Sequence, residues 1–97
     1  MIGYRFLSPA EEEMTEASLF YEKAAQGLGS DFLDDVQHAI KIVRSHPLIG
    51  HDLHDGFRRM LLSKFPFYLI YAIALNEVII VAVAHQRRRP EYWKERV

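Results

Sequence analysis

The chain has 97 residues, of which 49% are hydrophobic and 26% charged, and it has no cysteine. That is room for one hydrophobic core and not two, so residues 1–97 read as a single domain, and disulfide or thiolate chemistry is excluded. A formal net charge of −1 gives no reason, taken alone, to expect a polyanionic partner.

The first element is a short strand over 3–8, where "GYRFLS" alternates and is rich in aromatic and apolar residues. A helix follows. Ser8 is its expected cap, Pro9 suits the first turn, and Glu11 stands three residues after the cap. Ala10, Met14, Ala17, Tyr21, Ala24 and Leu28 recur at spacings of four and three, which makes one apolar helical face. The carboxylates of "EEEMTE" are placed on the opposite, solvated face. "GLGS" is a tight turn, and a second helix begins near Ser30 with Phe32, Leu33, Val36, Ile40 and Val43 inward. It ends at His46-Pro47, because the residue before a proline is disfavoured in a helix. Helices joined so tightly form an antiparallel hairpin.

"HPLIGHDLHDG" (46–56) is a polar loop, and after it the apolar period changes from 3.6 to two. Strands are predicted over 57–62, 67–74 and 78–84. Their connections are too short for crossovers, so they are antiparallel neighbours. "PEYWKER" can add a last helical turn. The fold class is α+β, in the order β-α-α-β-β-β: an N-terminal strand and an antiparallel helical hairpin packed on one face of an antiparallel sheet. The other face is open to water or a partner, although the apolar "FYLIYAIA" suggests partial cover there too.

Charge is unevenly spread. Residues 1–56 hold ten acids and four Lys/Arg, and residues 57–97 hold three acids and eight Lys/Arg. A basic half can meet an anion while the acidic half faces away. The densest basic feature is Arg87, Arg88 and Arg89 after the last strand, with Arg58 and Arg59 on a neighbouring strand. Arginine binds phosphate or carboxylate through a two-pronged fork and stays charged at any relevant pH. Tyr92 and Trp93 offer faces for base stacking, and Trp93 is equally suited to closing the core. His85 is a candidate acid or base near neutral pH, alone or paired with His51 or His54.

His46, His51 and His54, with Asp52 and Asp55, are zinc-type ligands, but their spacing matches no tight site and no metal is expected. Neither a glycine-rich phosphate loop nor a dinucleotide fingerprint occurs, so no cofactor is implied. "MIGYRFLSP" does not read as a signal peptide, and "FPFYLIYAIAL" is too short to span a bilayer. A cytoplasmic location without membrane contact is the expectation.

The strand "FPFYLIY", the strand "VIIVAVAH", the "RRRPEYW" that follows, and the opening "SPAEEEMTEASLFYE" with "HPLIG" after the second helix resemble the RelE/ParE superfamily over essentially the whole chain. The resemblance implies a growth-inhibiting toxin of a type II toxin–antitoxin pair, associated with plasmid stabilisation and neutralised by a small cognate antitoxin. Two targets are implied. RelE-like members cleave mRNA in the ribosome, and ParE-like members inhibit DNA gyrase without nuclease activity. On the nuclease pattern Arg59, Arg87 and Tyr92 or Trp93 match basic and aromatic positions, with His85 as a further catalytic candidate. Leu61 and Tyr68 stand where further basic residues belong. The incomplete set leans towards gyrase, with mRNA cleavage or a member that only binds its antitoxin as the alternatives.

Overall fold

The computed structural model describes every residue from 1 to 97. The elements are β1 (Gly3–Phe6), α1 (Ser8–Ala24), α2 (Leu28–Ser45), β2 (His51–Asp52), β3 (Phe57–Leu61), β4 (Phe67–Ala74), β5 (Glu77–His85) and a closing 3₁₀ turn (Lys94–Arg96). They form one five-stranded sheet in the order β1-β5-β4-β3-β2. No helix is long and apolar enough to cross a membrane.

The meander β3-β4-β5 is antiparallel as expected, while β1 pairs with β5 in parallel, which makes the sheet mixed. The physical reason lies in β5. It is buried from Val78 to Ala84, and so apolar a strand is a liability at a sheet edge. The only free edge of the meander beside it is taken by β1, which the helical hairpin returns to that side. The two-residue β2 on the far edge was not expected from sequence; it pairs His51 with Arg59 and Asp52 with Arg58.

Ser8 is not the cap of α1. Leu7 holds the extended cap position, and its carbonyl accepts from the amides of Ala10 and Glu11. The α1–α2 turn relies on Gly27, in the left-handed region at φ 85°, and on the Glu22 carboxylate. That carboxylate accepts from the amides of Gly27 and Gly29 at 3.0–3.1 Å. An acceptor there satisfies first-turn amides of α2 that have no partner within the helix.

The helices cover one face of the sheet. Phe32, Val36, Ile40 and Val43 of α2 pack with Leu69, Tyr71, Val78 and Ile80. Tyr21, Phe32, Phe65 and Phe67 form an aromatic cluster with centroids 4.7–6.2 Å apart, mostly edge to face. One charge is buried among them. Asp35 accepts from the amides of Ser63, Lys64 and Phe65 and from Ser63 Oγ at 2.8–3.3 Å. Burial opposes its ionisation, but these donors outweigh burial and hold the carboxyl below its ordinary value.

The second face is also closed. Ile70 pairs with Ala82 and Tyr71 with Ile80, which leaves Val81 as an extra residue in β5. This bulge turns both Val81 and Ala82 onto the second face. There they form a smaller core with Ile70, Ala84 and Trp93, flanked by Leu7, Leu53, Phe57, Tyr68 and Tyr92. Residues 86–97 therefore return across the sheet as a strap.

Candidate functional site

The strap begins where β5 ends. The amide of Gln86 donates to the Pro66 carbonyl, that of Arg88 to the His85 carbonyl, and that of Arg87 to His85 Nδ1, all at 2.9–3.0 Å. These bonds close a turn that carries the arginine run outward. Glu91, at φ 64°, then bends the chain back so that Tyr92 and Trp93 meet the sheet. Trp93 is 4% exposed, and its ring lies 4.9 Å from that of Phe57. It is a core residue and offers no free face for stacking on a base.

Between the strap and the sheet lies a cavity of about 260 Å³, lined among others by Arg59, Tyr68, His85, Arg88, Arg89 and Trp93. Arg59 reaches it from β3 on the same face as Ile70, its register partner, with its guanidinium 4.8 Å from the Tyr68 ring centroid. Arg88 lies 3.8 Å from the centroid of Tyr92. Stacking on an aromatic face holds a guanidinium in place without using its hydrogen-bond donors. Neither arginine is in an ion pair, since the ion pairs present join Arg5 to Glu77, Lys94 to Glu91 and Arg96 to Glu13. The cavity therefore presents cations ready for a carboxylate or phosphate.

The remaining sequence candidates separate. Arg58 projects to the opposite face of β3, where its guanidinium donates to the carbonyls of Leu48 and Gly50 at 3.2 and 2.9 Å. That bond set, with the Tyr71 hydroxyl between the Gly50 amide and the Pro47 carbonyl, pins the loop after α2. Arg58 is committed to the fold because alternate residues of a strand point to opposite faces. Arg87 is exposed and is not among the cavity residues. His51 lies on β2, three strand spacings from β5, or about 14 Å. A His51–His85 acid–base pair is thus out of reach. His46 and His54 are exposed, and neither lines the cavity.

Glu13 was missed from sequence, where it was placed on the solvated face of α1. It is instead the polar centre of the strap. Arg96 grips it with both terminal nitrogens at 2.8 and 2.9 Å, Tyr92 donates its hydroxyl at 2.7 Å, and the Val83 amide donates at 3.0 Å. Arg96 also donates to the Val81 carbonyl at 3.0 Å. Paired β1 residues reach only as far as Ile80, so Glu13 and Arg96 take over the backbone groups of β5 beyond β1. Burial alone would raise the Glu13 pKa, but Arg96, Tyr92 and Val83 outweigh it and lower the value. Burial, reinforced by Glu13, pushes the Tyr92 phenol strongly up, so it stays a protonated donor. The available signal was spacing, since Glu13 follows Ala10 by three and precedes Ala17 by four, on the border of the apolar face.

Residues 4–90 match the family model described as the ParE toxin of the type II toxin–antitoxin system, parDE. The chain belongs to the ParE toxin family. Among solved structures, the "Chromosomal ParDE TA system from P. aeruginosa" is similar with a TM-score of 0.62 at 16% identity, covering 88% of this chain and 96% of that one. At that identity the likeness supports the fold. No curated protein matches the chain. Membership makes this ParE-family protein the toxin half of a toxin–antitoxin pair, with an antitoxin as its partner.

Proposed function

We propose that this ParE-family toxin arrests growth by acting on DNA gyrase, and that its antitoxin neutralises it by placing an acidic segment in the arginine cavity. The observation that supports this reading is the commitment of the groups a nuclease would need. The Tyr92 hydroxyl is held by Glu13, and His85 Nδ1 accepts from the Arg87 amide. Arg59, Arg88 and Arg89 remain as cations at the cavity, while its carboxylate, Glu91, is paired with Lys94 at 3.2 Å. Such a site binds anions well and is poorly equipped for proton transfer.

A second reading, ribosome-dependent mRNA cleavage, draws on the same arginines and on Tyr68, which together suit a nucleotide as well as a carboxylate. One purified preparation separates the two. Excess protein should stop DNA supercoiling by gyrase and leave mRNA intact in the presence of translating ribosomes. Normal supercoiling together with message cut in the ribosome would reverse the assignment. Addition of the antitoxin should restore supercoiling, and Arg88→Ala should weaken the toxin–antitoxin complex. The expected location is the cytoplasm, where gyrase and its DNA are found.

A further inference from the structure

We infer that Glu13, a residue of α1 that is not among those lining the arginine cavity, is the positioning residue for that cavity, acting through Tyr92 on Arg88. The inference rests on the reading of the cavity as an anion site and identifies what sets its geometry.

The path is continuous. Glu13 Oε2 accepts the Tyr92 hydroxyl at 2.7 Å. The Tyr92 ring so fixed is the surface on which the Arg88 guanidinium rests, 3.8 Å from the centroid. Glu13 Oε1 is meanwhile anchored to the sheet by the Val83 amide at 3.0 Å, so the carboxylate ties the strap to β5 as well as to α1. Arg96, bound to both oxygens, lies 5.1 Å from the centroid of the same ring. Glu13 accepts the Tyr92 hydroxyl hydrogen bond, and the backbone of Arg87–Arg89 is held by the turn at His85 and by the Tyr92 amide, which donates to the Arg89 carbonyl at 3.3 Å. An exposed arginine on a turn samples many rotamers and loses that freedom on binding. A guanidinium already resting on a fixed ring has less to lose, so its placement contributes to affinity.

The charges around Glu13 make the arrangement selective. Glu16, His85 and Arg88 share the adjoining groove, but Arg96 takes up the Glu13 charge at 2.8 Å. Arg88 therefore stays free for the cavity. Without Arg96, Glu13 would be a half-buried carboxylate without an ion-pair partner in the same groove as Arg88, and the two would attract each other.

The test uses the full chain. The first readout is the NMR resonance of the Arg88 side chain, which the Tyr92 ring current should shift upfield of those of Arg87 and Arg89. Glu13→Ala should return it to their position. Tyr92→Phe, which leaves the Glu13–Arg96 pair intact and guards against loss of fold, should move it in the same direction. The second readout is binding of an eight-residue polyglutamate peptide. Glu13→Ala should lower its affinity about tenfold, in the range of coupled contacts. In an Arg88→Ala background the same change should lower affinity by less than about twofold, because the path ends at Arg88. An Arg88 resonance unmoved in folded Glu13→Ala and Tyr92→Phe would overturn the inference. So would affinity losses that simply multiply in the double variant. If the wild-type protein does not bind the peptide, the anion reading of the cavity fails, while the Arg88 resonance still decides whether Glu13 positions it.

Discussion

The two faces of this sheet are closed in parallel ways, with different consequences. Each is sealed by an apolar core and fastened by one carboxylate that gathers donors: Asp35 on the helix face, Glu13 on the strap face. On the helix face two long helices cover the larger core of thirteen buried residues. On the strap face a twelve-residue segment covers four buried sheet residues with its own Trp93, and arginines stand around the space it leaves. A thin cover cannot fill every gap, and the gap it leaves is where cations can meet a partner. Stability is concentrated on one face, and the proposed recognition lies on the other.

The sharpest way to break this comparison is a pair of aromatic truncations. Phe32→Ala should cost about 4 kcal/mol and threaten the whole fold, because Phe32 is fully buried among the rings of Tyr21, Phe65 and Phe67. Trp93→Ala should cost about 3 kcal/mol, the lower end for a buried tryptophan, because the strap can settle into part of the space. Urea denaturation followed by circular dichroism measures both. Equal losses would mean that the two faces form one cooperative core of uniform strength.

The next effect compares the fasteners. Asp35→Asn should cost about 2 kcal/mol, since a charged acceptor of four bonds becomes a neutral one beside donors it cannot all satisfy. The pH dependence follows from both carboxylates. Each has a lowered folded-state pKa, so its contribution is complete above the ordinary carboxylate range. It is lost as pH falls through about 4 and below. The urea midpoint should therefore drop between pH 7 and pH 3, and Asp35→Asn should flatten that drop. An acid limb unchanged by the substitution would remove Asp35 as its source.

The smallest effects on stability should come from the cavity arginines. Arg59→Ala and Arg89→Ala should change stability by no more than about 0.5 kcal/mol, because neither is in an ion pair or a hydrogen bond to a buried group. Both should weaken antitoxin binding in a calorimetric titration. Arg58→Ala should do the reverse, lowering stability through the lost carbonyl contacts and sparing the complex. If Arg58 and Arg59 behave alike, the division between the two faces of β3 fails.

The order of elements apart from β2, the helical hairpin, the antiparallel meander and the identity of the basic segment were legible in the sequence. Each depends on local periodicity or on turn length, which neighbouring residues dictate. Trp93 was legible only as an ambiguity, because an aromatic after a strand can stack on a ligand or close a core. Three matters needed the tertiary structure. The parallel pairing of β1 with β5 joins residues more than seventy positions apart. The separation of Arg58 from Arg59 depends on which face of the sheet each packing layer covers. The role of Glu13 depends on donors at positions 83, 92 and 96, none of which a helical period can see. Sequence by itself determined which residues are apolar, which are charged and how each segment prefers to fold. Only the packing of distant segments decided which charges are consumed within the fold and which remain for a partner, because a charge buried in the fold needs a partner that the local chain does not contain.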